Sequence, residues 1–574
     1  MAVVKQSSLS ELKHDHPNFF QSKSFYTWLL AWLVLPNLIL ISCGRAGSSS
    51  TPDQLQVAIN PSTVNVDQGG TRTFTATVTG SSNGAVSWSV QEGPSGGSIT
   101  SAGVYTAPAV AGTYHVIATS QADSTRTAIA NVVVPDVSVA VAPVEATVRP
   151  NEIRGFVATV SGSVNSKVTW NVQEGAAGGA ITSTGLYTAP ANTGFYHVTA
   201  TSVADTSQKA SAPVTVTTAS GLFSPVGDLQ VPRVYHTATL LPNGRVLFAG
   251  GAKMRVFHVL AGLPSAEIFD ALTGLFTATS NMGSPRYAHT ATLLANGKVL
   301  VTGGFGVGGV DYEGQALPSP ALDSAELYDP ATGTFMPTGK LNSVRAGHTA
   351  TFLPNGKVLI VGGSDDSATL ATAEIYDPAT GSCTSTGSMA TARTGHTSTL
   401  LSDGTVLVAG GSGPSGALAS AEVYNPATGS FVPTADMATA RAAHTATRLP
   451  DGRVLLAGGG DGTTVTAIAE LYDPSTRSFT PTGTMGTVRE GHTATLLSDG
   501  TVLVAGGSSP TETLASAEIY NPSTGSFAPT GNMVTPRKGH TATLLQDGRV
   551  LAAAGVNFPS GGGINFLASA ETYE

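Results

Sequence analysis

The sequence predicts an all-β protein built mostly from one repeated unit. From His236 onward, Arg, His-Thr-Ala-Thr, an Asn-Gly or Asp-Gly turn, Val-Leu, Gly-Gly and Ala-Glu recur in the same order with little variation. The histidines that mark the repeat are His236, His289, His348, His396, His444, His492 and His540. Repeats of about 40–50 residues made of short strands are typical of β-propellers. We therefore expect a seven-bladed β-propeller, in which a feature that recurs in every blade is architecture before it is an active site.

Composition supports this class and excludes one kind of partner. Charged residues make up 11% of the chain, whereas Gly (67) and Pro (33) are abundant, which suits strands joined by tight turns. A net charge of −9 leaves no basic surface for nucleic acid. With two cysteines, no disulfide framework is expected.

The N-terminus predicts export and a lipid anchor. Three lysines precede an apolar run from Phe25 to Ile41, too short for a typical membrane span. Leu40-Ile-Ser-Cys43 resembles the bacterial lipobox, which implies a signal peptide over 1–42, lipidation of Cys43 and a tether over 43–52. The mature protein would then lie in the cell envelope, either periplasmic or on the cell surface. An uncleaved anchor helix is the alternative.

Residues 53–217 contain a second repeat with an offset of 82 residues. Trp88 corresponds to Trp170, and Gly103-Val-Tyr-Thr-Ala-Pro corresponds to Gly185-Leu-Tyr-Thr-Ala-Pro. Short alternating strands with one central Trp per unit predict two β-sandwiches, over 53–135 and 136–217. These units resemble bacterial Ig-like domains, which implies a role as spacers or adhesive stalks.

The propeller itself is expected over 221–574. In the fourth copy the predicted strands are His396 to Leu401, Val406 to Ala409, Ser420 to Tyr424 and Ser430 to Thr434, and the Asp403-Gly404 turn suits a two-residue hairpin. Spacing, double glycine and order together resemble the kelch repeat of the central domain of galactose oxidase and its relatives. Because the last copy stops after its third strand, Leu222 to Gly227 should supply the missing fourth strand and close the ring.

An arginine precedes each repeat histidine, and a glutamate opens each third strand. Strand alternation places both on the same face of the ring, so Arg–Glu pairing is expected. The alternative is a ring of charges that binds a ligand at the channel mouth. The residues are Arg233, Arg286, Arg345, Arg393, Arg441, Arg489 and Arg537, with Glu267, Glu326, Glu374, Glu422, Glu470, Glu518 and Glu571.

One segment suggests catalysis. Arg233-Val-Tyr-His236 resembles the galactose oxidase segment in which a Tyr-His pair binds copper, and Tyr235 is the only bulky residue at its repeat position. That family also needs a Tyr–Cys crosslink and a second histidine from a later domain, and Cys383 does not match the crosslinking position. We therefore expect no enzyme, no catalytic residue, no metal and no cofactor.

Long insertions after the second strands of blades seven, one and two form the candidate binding rim. These insertions are expected on one face, where loops on a rigid scaffold concentrate binding function. Their candidate residues are Phe257, His258, Phe305, Tyr312, Phe558 and Phe566. We expect a surface-anchored, non-catalytic binding protein whose partner is a protein or a polysaccharide. A copper radical oxidase and a purely structural envelope protein are the alternatives.

Overall fold

A computed structural model describes residues 55–218, 220–254, 260–308, 319–559 and 561–574. These residues form strands and turns, with two single-turn 3₁₀ helices at Gly93–Gly96 and Gly175–Gly178, which confirms the all-β class. No helix in these ranges is long and apolar enough to cross a membrane. Cys43 and the predicted signal segment lie outside the described residues, so their roles remain predictions.

Two similar units precede the ring. Each consists of a four-stranded, a three-stranded and a two-stranded sheet. The strands of the first unit are Gln56–Asn60, Thr63–Asn65, Thr71–Thr73, Thr75–Thr79, Val86–Val90, Ser98–Ile99, Val104–Thr106, Gly112–Ser120 and Thr127–Val134. Those of the second are Ser138–Ala142, Ala146–Val148, Ile153–Gly155, Val157–Ser161, Val168–Val172, Ala180–Ile181, Leu186–Thr188, Gly194–Ser202 and Lys209–Val216. We call them the first and second sandwich; their Ig-like kinship stays a prediction.

The cores of the sandwiches are not centred on tryptophan. Phe74 and Tyr105 are fully buried in the first sandwich, and the Tyr105 hydroxyl donates a hydrogen bond of 2.6 Å to the carbonyl of Gly96. Trp88 is only half-buried and packs against this core from outside. The second sandwich repeats the arrangement with Phe156, Tyr187 and Trp170.

The rest of the chain folds into seven four-stranded antiparallel sheets, here numbered as blades one to seven. Strands one to four of blades one to three are Thr237–Leu240, Val246–Ala249, Ala266–Asp270, Leu275–Ala278; Thr290–Leu293, Val299–Thr302, Ala325–Asp329, Thr334–Thr338; and Thr349–Phe352, Val358–Val361, Ala373–Asp377, Ser382–Ser385. Those of blades four to six are Thr397–Leu400, Val406–Ala409, Ala421–Asn425, Ser430–Pro433; Thr445–Arg448, Val454–Ala457, Ala469–Asp473, Ser478–Pro481; and Thr493–Leu496, Val502–Ala505, Ala517–Asn521, Ser526–Pro529. Blade seven has Thr541–Leu544, Val550–Ala553, Ala570–Tyr573 and Phe223–Pro225.

The sheets form a closed ring around a central channel. The first strand of each blade contacts the first strands of both neighbours, including blade one against blade seven. The fourth strand of blade seven comes from the start of the ring, where Phe223 pairs with Tyr573, as the sequence predicts. Second strands such as Val406–Ala409 are buried along their whole length because both sheet faces are covered by neighbouring blades.

Antiparallel connectivity gives the ring two distinct faces. The tight turns between strands one and two, and between strands three and four, lie on the face we call the lower face. The connections between strands two and three, and the Arg-x-x-His corners that enter each blade, lie on the opposite, upper face. The second sandwich touches the lower face, where the Gly155 amide donates to the carbonyl of Thr273 in a turn of blade one.

Candidate binding face of the propeller

The arginine and glutamate repeats form buried pairs inside each blade. The Arg Nη2 to Glu Oε1 distances run from 2.6 to 3.2 Å, and every one of these arginine side chains is 0% exposed. In blade five, Arg441 Nη1 also donates to the carbonyls of Gly458 and Ile468, and Glu470 accepts the amide of Ala438. A buried ion pair is tolerable only when such hydrogen bonds satisfy it. The set therefore holds the upper corners of the blades and does not present an open ring of charges to a ligand.

The repeat histidines link neighbouring blades. Nε2 of each lies 2.9–3.1 Å from the hydroxyl of the threonine that follows the histidine of the preceding blade, and His236 reaches Thr541 to close the circle. Burial, assisted by the Arg441 guanidinium, lowers the pKa of His444 to about 3. The histidines are therefore neutral links of the ring at ordinary pH.

Just before each histidine, the backbone turns left-handed around the channel mouth. The φ angles at this position lie between 50° and 62° in all seven blades. Amides and carbonyls at the position join adjacent blades, as from Ala288 to Tyr235, Gly347 to Ala288 and Gly491 to Ala443, at 2.9–3.0 Å. Left-handed backbone favours glycine, which explains the Gly at most of these positions. Tyr235 holds this conformation with a bulky side chain.

The long loops of blades seven, one and two pack into one apolar cluster over the mouth, which we call the loop cluster. Its buried members are Val234, Ala252, Leu260, Tyr287, Phe305, Ala321, Ala346 and Val556, with Tyr235, Phe558, Ile564 and Phe566 half-buried against them. The prediction that these loops share a face is thus seen in the structure. They form a wall on one side of the mouth.

The same packing corrects part of the predicted rim. Phe305 is 9% exposed, and its ring lies 5.4 Å from that of Tyr287, so it is a core residue of the loop cluster and no free anchor. Phe558 and Phe566 are also partly buried in that cluster, because loops from different blades cover each other. Phe257, His258 and Tyr312 lie outside the described residues, and their predicted role is untested.

Hydrogen bonds tie the wall to its neighbours. Ser319 Oγ donates to the carbonyl of Leu260 at 3.3 Å, joining the loops of blades two and one. The amide of Ala321 donates to Asp366 in blade three at 2.6 Å, and the amide of Phe558 donates to Thr513 in blade six at 3.0 Å. The long loops are therefore fixed to the short loops that flank them.

The opposite side of the mouth is low and polar. Blades four and five carry short connections there, and Pro414 and Ser415 at the tip of one are exposed. Where the wall meets this polar side, at the junction of blades six and seven, Lys538 Nζ lies 2.8 Å from Glu490 Oε1, and both side chains are 16% exposed. The mouth is therefore a step, with an apolar wall on one side and a polar lip on the other.

The residues present do not fit the copper site suggested by the Tyr235-His236 segment. His236 makes the same inter-blade contact with threonine as its six siblings. Cys383 lies on the outermost strand of blade three, whereas Tyr235 lies at the innermost corner of blade one. Among the described residues, no group of three or more His, Cys, Asp or Glu side chains is placed to hold a metal ion.

Three features of this face were missed by the sequence reasoning. They are the left-handed backbone ring, the His–Thr circle and the burial of the loop aromatics. The first had a visible signal, because Gly or Ala precedes every repeat histidine except His236. The other two depend on contacts between blades that no local pattern reports.

Comparison with known proteins supports the kelch-type propeller. The kelch motif matches residues 345–390 and 393–438. A solved fungal alcohol oxidase of the AA5 family, in complex with copper, is 19% identical, with a TM-score of 0.51 over 62% of this chain and 76% of its own. The structure of YjhT is 14% identical, with a TM-score of 0.41 over 53% of this chain and 99% of its own. No curated protein matches the chain significantly. At these identities the likeness to solved structures shows the fold alone.

Proposed function

We propose that this protein is a non-catalytic binding protein that uses the upper face of its kelch-type propeller to hold a protein or polysaccharide partner. The observation that carries the proposal is the asymmetry of that face. Four of the seven blades, numbers three to six, share a short connection between strands two and three, whereas the three adjacent blades seven, one and two carry long loops that build the loop cluster. The features that recur in all seven blades are sufficient to hold the ring together. The long loops that build the loop cluster occur in three blades alone, so the stability of the ring does not account for them.

The placement of the sandwiches supports the same face. The second sandwich is hydrogen-bonded to the lower face at Thr273 and Arg549, so this described domain lies on the side of the ring away from the upper face. A protein anchored through its N-terminus would present this face away from the anchor. We propose that the anchor is the lipid on Cys43, which places the protein in the bacterial envelope. Cys43→Ser should abolish lipid modification, and lipid mass persisting on that variant would contradict the anchor.

Contact chemistry at the step suits a macromolecular partner. Val307, in the long loop of blade two, is 39% exposed, and Asn565, in that of blade seven, is exposed as well. Apolar wall and polar lip together resemble the core and rim of protein interfaces. A rigid scaffold lowers the entropic cost of presenting such contacts.

The test is a binding screen with matched variants. Residues 55–574 are probed on glycan and protein arrays, and each reproducible hit is measured again with Val307→Glu and with Val432→Glu. Val432 serves as the control. It is 45% exposed and lies on the outermost strand of blade four, which is not part of the channel mouth. We expect a charge at Val307 to weaken binding at least about tenfold and a charge at Val432 to leave it unchanged. Equal loss from both variants, or loss only at Val432, would contradict the proposed face.

The oxidase alternative has its own test. Protein supplied with Cu(II) and oxygen should produce neither a tyrosyl radical signal nor peroxide from primary alcohols. Turnover that disappears in Tyr235→Phe would replace the binding proposal with an enzymatic one. A purely structural envelope role would instead show as an absence of any saturable partner on either array.

A further inference from the structure

We infer that the second sandwich and the propeller are locked into one rigid body by a polar dock that only the second sandwich can form. Interfaces between domains of one chain commonly allow relative motion unless they are extensive. The dock restricts that motion through ion pairs that are largely shielded from solvent at Glu152, Arg154 and Arg549, and through one close backbone approach. It would fix the direction in which the upper face points, independently of what that face binds.

Glu152 is the centre of the dock. Its Oε1 accepts hydrogen bonds from Arg154 Nη2 at 3.1 Å, within the sandwich, and from Arg549 Nη1 at 3.0 Å, in blade seven. Arg549 also donates to the carbonyl of Ala271 in blade one at 2.8 Å. A second pair joins Arg149 to Glu574 at 3.2 Å. Glu152 is therefore bonded to blade seven through Arg549, and Arg549 is in turn bonded to blade one.

Backbone contact brings the two bodies closer than side chains alone would. The amide of Gly155 donates to the carbonyl of Thr273 at 2.6 Å. A Cβ at Gly155 would lie 2.3 Å from that oxygen, which no side chain could tolerate without separating the surfaces. Since Gly155 has no left-handed backbone angle, the requirement for glycine here comes from the approach itself.

The first sandwich provides an internal comparison. With the offset of 82 residues, Glu152 corresponds to Gly70 and Gly155 corresponds to Thr73, while arginine is kept at Arg72 and Arg154. Arg72 and Thr73 are exposed, whereas Arg154 is 1% exposed. The two units thus differ where one of them docks. A carboxylate and a glycine distinguish the docking unit from its otherwise similar neighbour.

Burial makes the dock intolerant of losing a partner. Arg154 keeps one hydrogen bond, to Glu152, while its Nε and Nη1 are buried without a partner in the described residues. A buried cation that loses the one carboxylate hydrogen-bonded to it is poorly compensated, since the more distant Glu574 remains its other acidic neighbour. Opening the dock is the simplest way for Arg154 to regain solvent once Glu152 is neutralised.

The second sandwich is also hydrogen-bonded to the first sandwich. The Gln68 amide donates to the carbonyl of Gly162 at 3.0 Å, and the amide of Val164 donates back to Gln68 at 3.2 Å, so the two sandwiches also touch through backbone. Gln68 Nε2 adds a hydrogen bond of 3.1 Å to the carbonyl of Pro135. The two sandwiches and the propeller are therefore joined in series, and the dock is the connection between the second sandwich and the propeller.

The test transplants residues between the two sandwiches. Residues 55–574 are prepared as wild type, Gly155→Thr, Glu152→Gln and, as the matched control, Thr73→Gly. Each is measured by small-angle X-ray scattering and by hydrogen exchange of peptides spanning 149–158 and 271–275. Threonine already folds at the corresponding position of the first sandwich, so Gly155→Thr should separate the bodies without unfolding either one.

We expect wild type and Thr73→Gly to scatter as one rigid particle, and Gly155→Thr to scatter as a mixture of orientations with a larger radius of gyration. Exchange in both peptides should rise about tenfold or more in Gly155→Thr and in Glu152→Gln. Circular dichroism should show the same strand content in all four proteins. Wild-type scattering that already requires many orientations, or Gly155→Thr data identical to wild type, would overturn the inference.

Discussion

Arg441 offers the sharpest test of whether the buried ion pairs are architecture. Its Nη2 lies 2.7 Å from Glu470, and its side chain is 0% exposed, so Arg441→Met leaves a buried carboxylate with only its backbone partner. Removing one member of a buried pair costs about 3–5 kcal/mol. The matched control is Arg453→Met in the same blade, because the Arg453–Asp451 pair lies on the surface with side chains 35% and 43% exposed. An exposed pair contributes about 0–1 kcal/mol.

The assay is chemical denaturation of residues 55–574, monitored by far-UV circular dichroism. The quantity compared is the shift of the denaturation midpoint relative to wild type. A large loss for Arg441→Met and a small one for Arg453→Met is the expected result. Equal small losses would refute the argument, especially if Arg441→Met instead weakened partner binding. That outcome would revive the alternative in which the arginines form a ligand ring.

Three further predictions follow from the ring. Phe223→Ala and Phe431→Ala should each lower the free energy of unfolding by about 3–5 kcal/mol, because each ring lies 4.9 Å from the tyrosine on which it packs. If only Phe431→Ala lowers the melting temperature, the N-terminal strand does not close blade seven. Gly395→Ala should destabilise the fold and Ala443→Gly should stabilise it, by about 1 kcal/mol each, because φ is 60° at Gly395 and 53° at Ala443 and open space surrounds a Cβ at Gly395. Denaturation midpoints that move the other way would exclude backbone strain there. Burial lowers the pKa of His348, His396, His444 and His492 to about 3, so the unfolded chain binds more protons between about pH 6.5 and 3, and stability should fall as the pH falls through that window. Each such histidine costs about 1.4 kcal/mol at one pH unit below its unfolded pKa, and a urea midpoint that stays constant from pH 7 to pH 5 would contradict this.

Local pattern was enough to predict the blades. In blade four the expected strands at Val406 to Ala409 and Ser430 to Thr434 agree with the structure within one residue, because alternation, Asp-Gly turns and double glycines are all local signals. Because the same signals recur in every copy, the strand assignment made for one blade applies to all seven. The closing strand was predictable for a related reason, since a blade that lacks its fourth strand needs one from elsewhere in the chain.

The candidate site was less predictable because it depends on contacts between separate repeats. Phe305 and Phe558 lie in polar, glycine-rich insertions, which are typical of exposed loops. In the structure both belong to the loop cluster, together with Tyr287. The dock at Glu152 joins residues about 400 positions apart in the chain, as in the contact with Arg549. Neither arrangement leaves a periodic signal, so only the assembled fold could reveal them.

The most direct measurement of the binding account is a footprint of the bound partner. Hydrogen exchange of residues 55–574, with and without the strongest array hit, reports protection along the whole chain. The account predicts protection in peptides of the upper face, around Val307, Lys538 and Asn565, and none in the lower-face turns around Asp403 and Asp499. Protection confined to the lower face or to the sandwiches would contradict it.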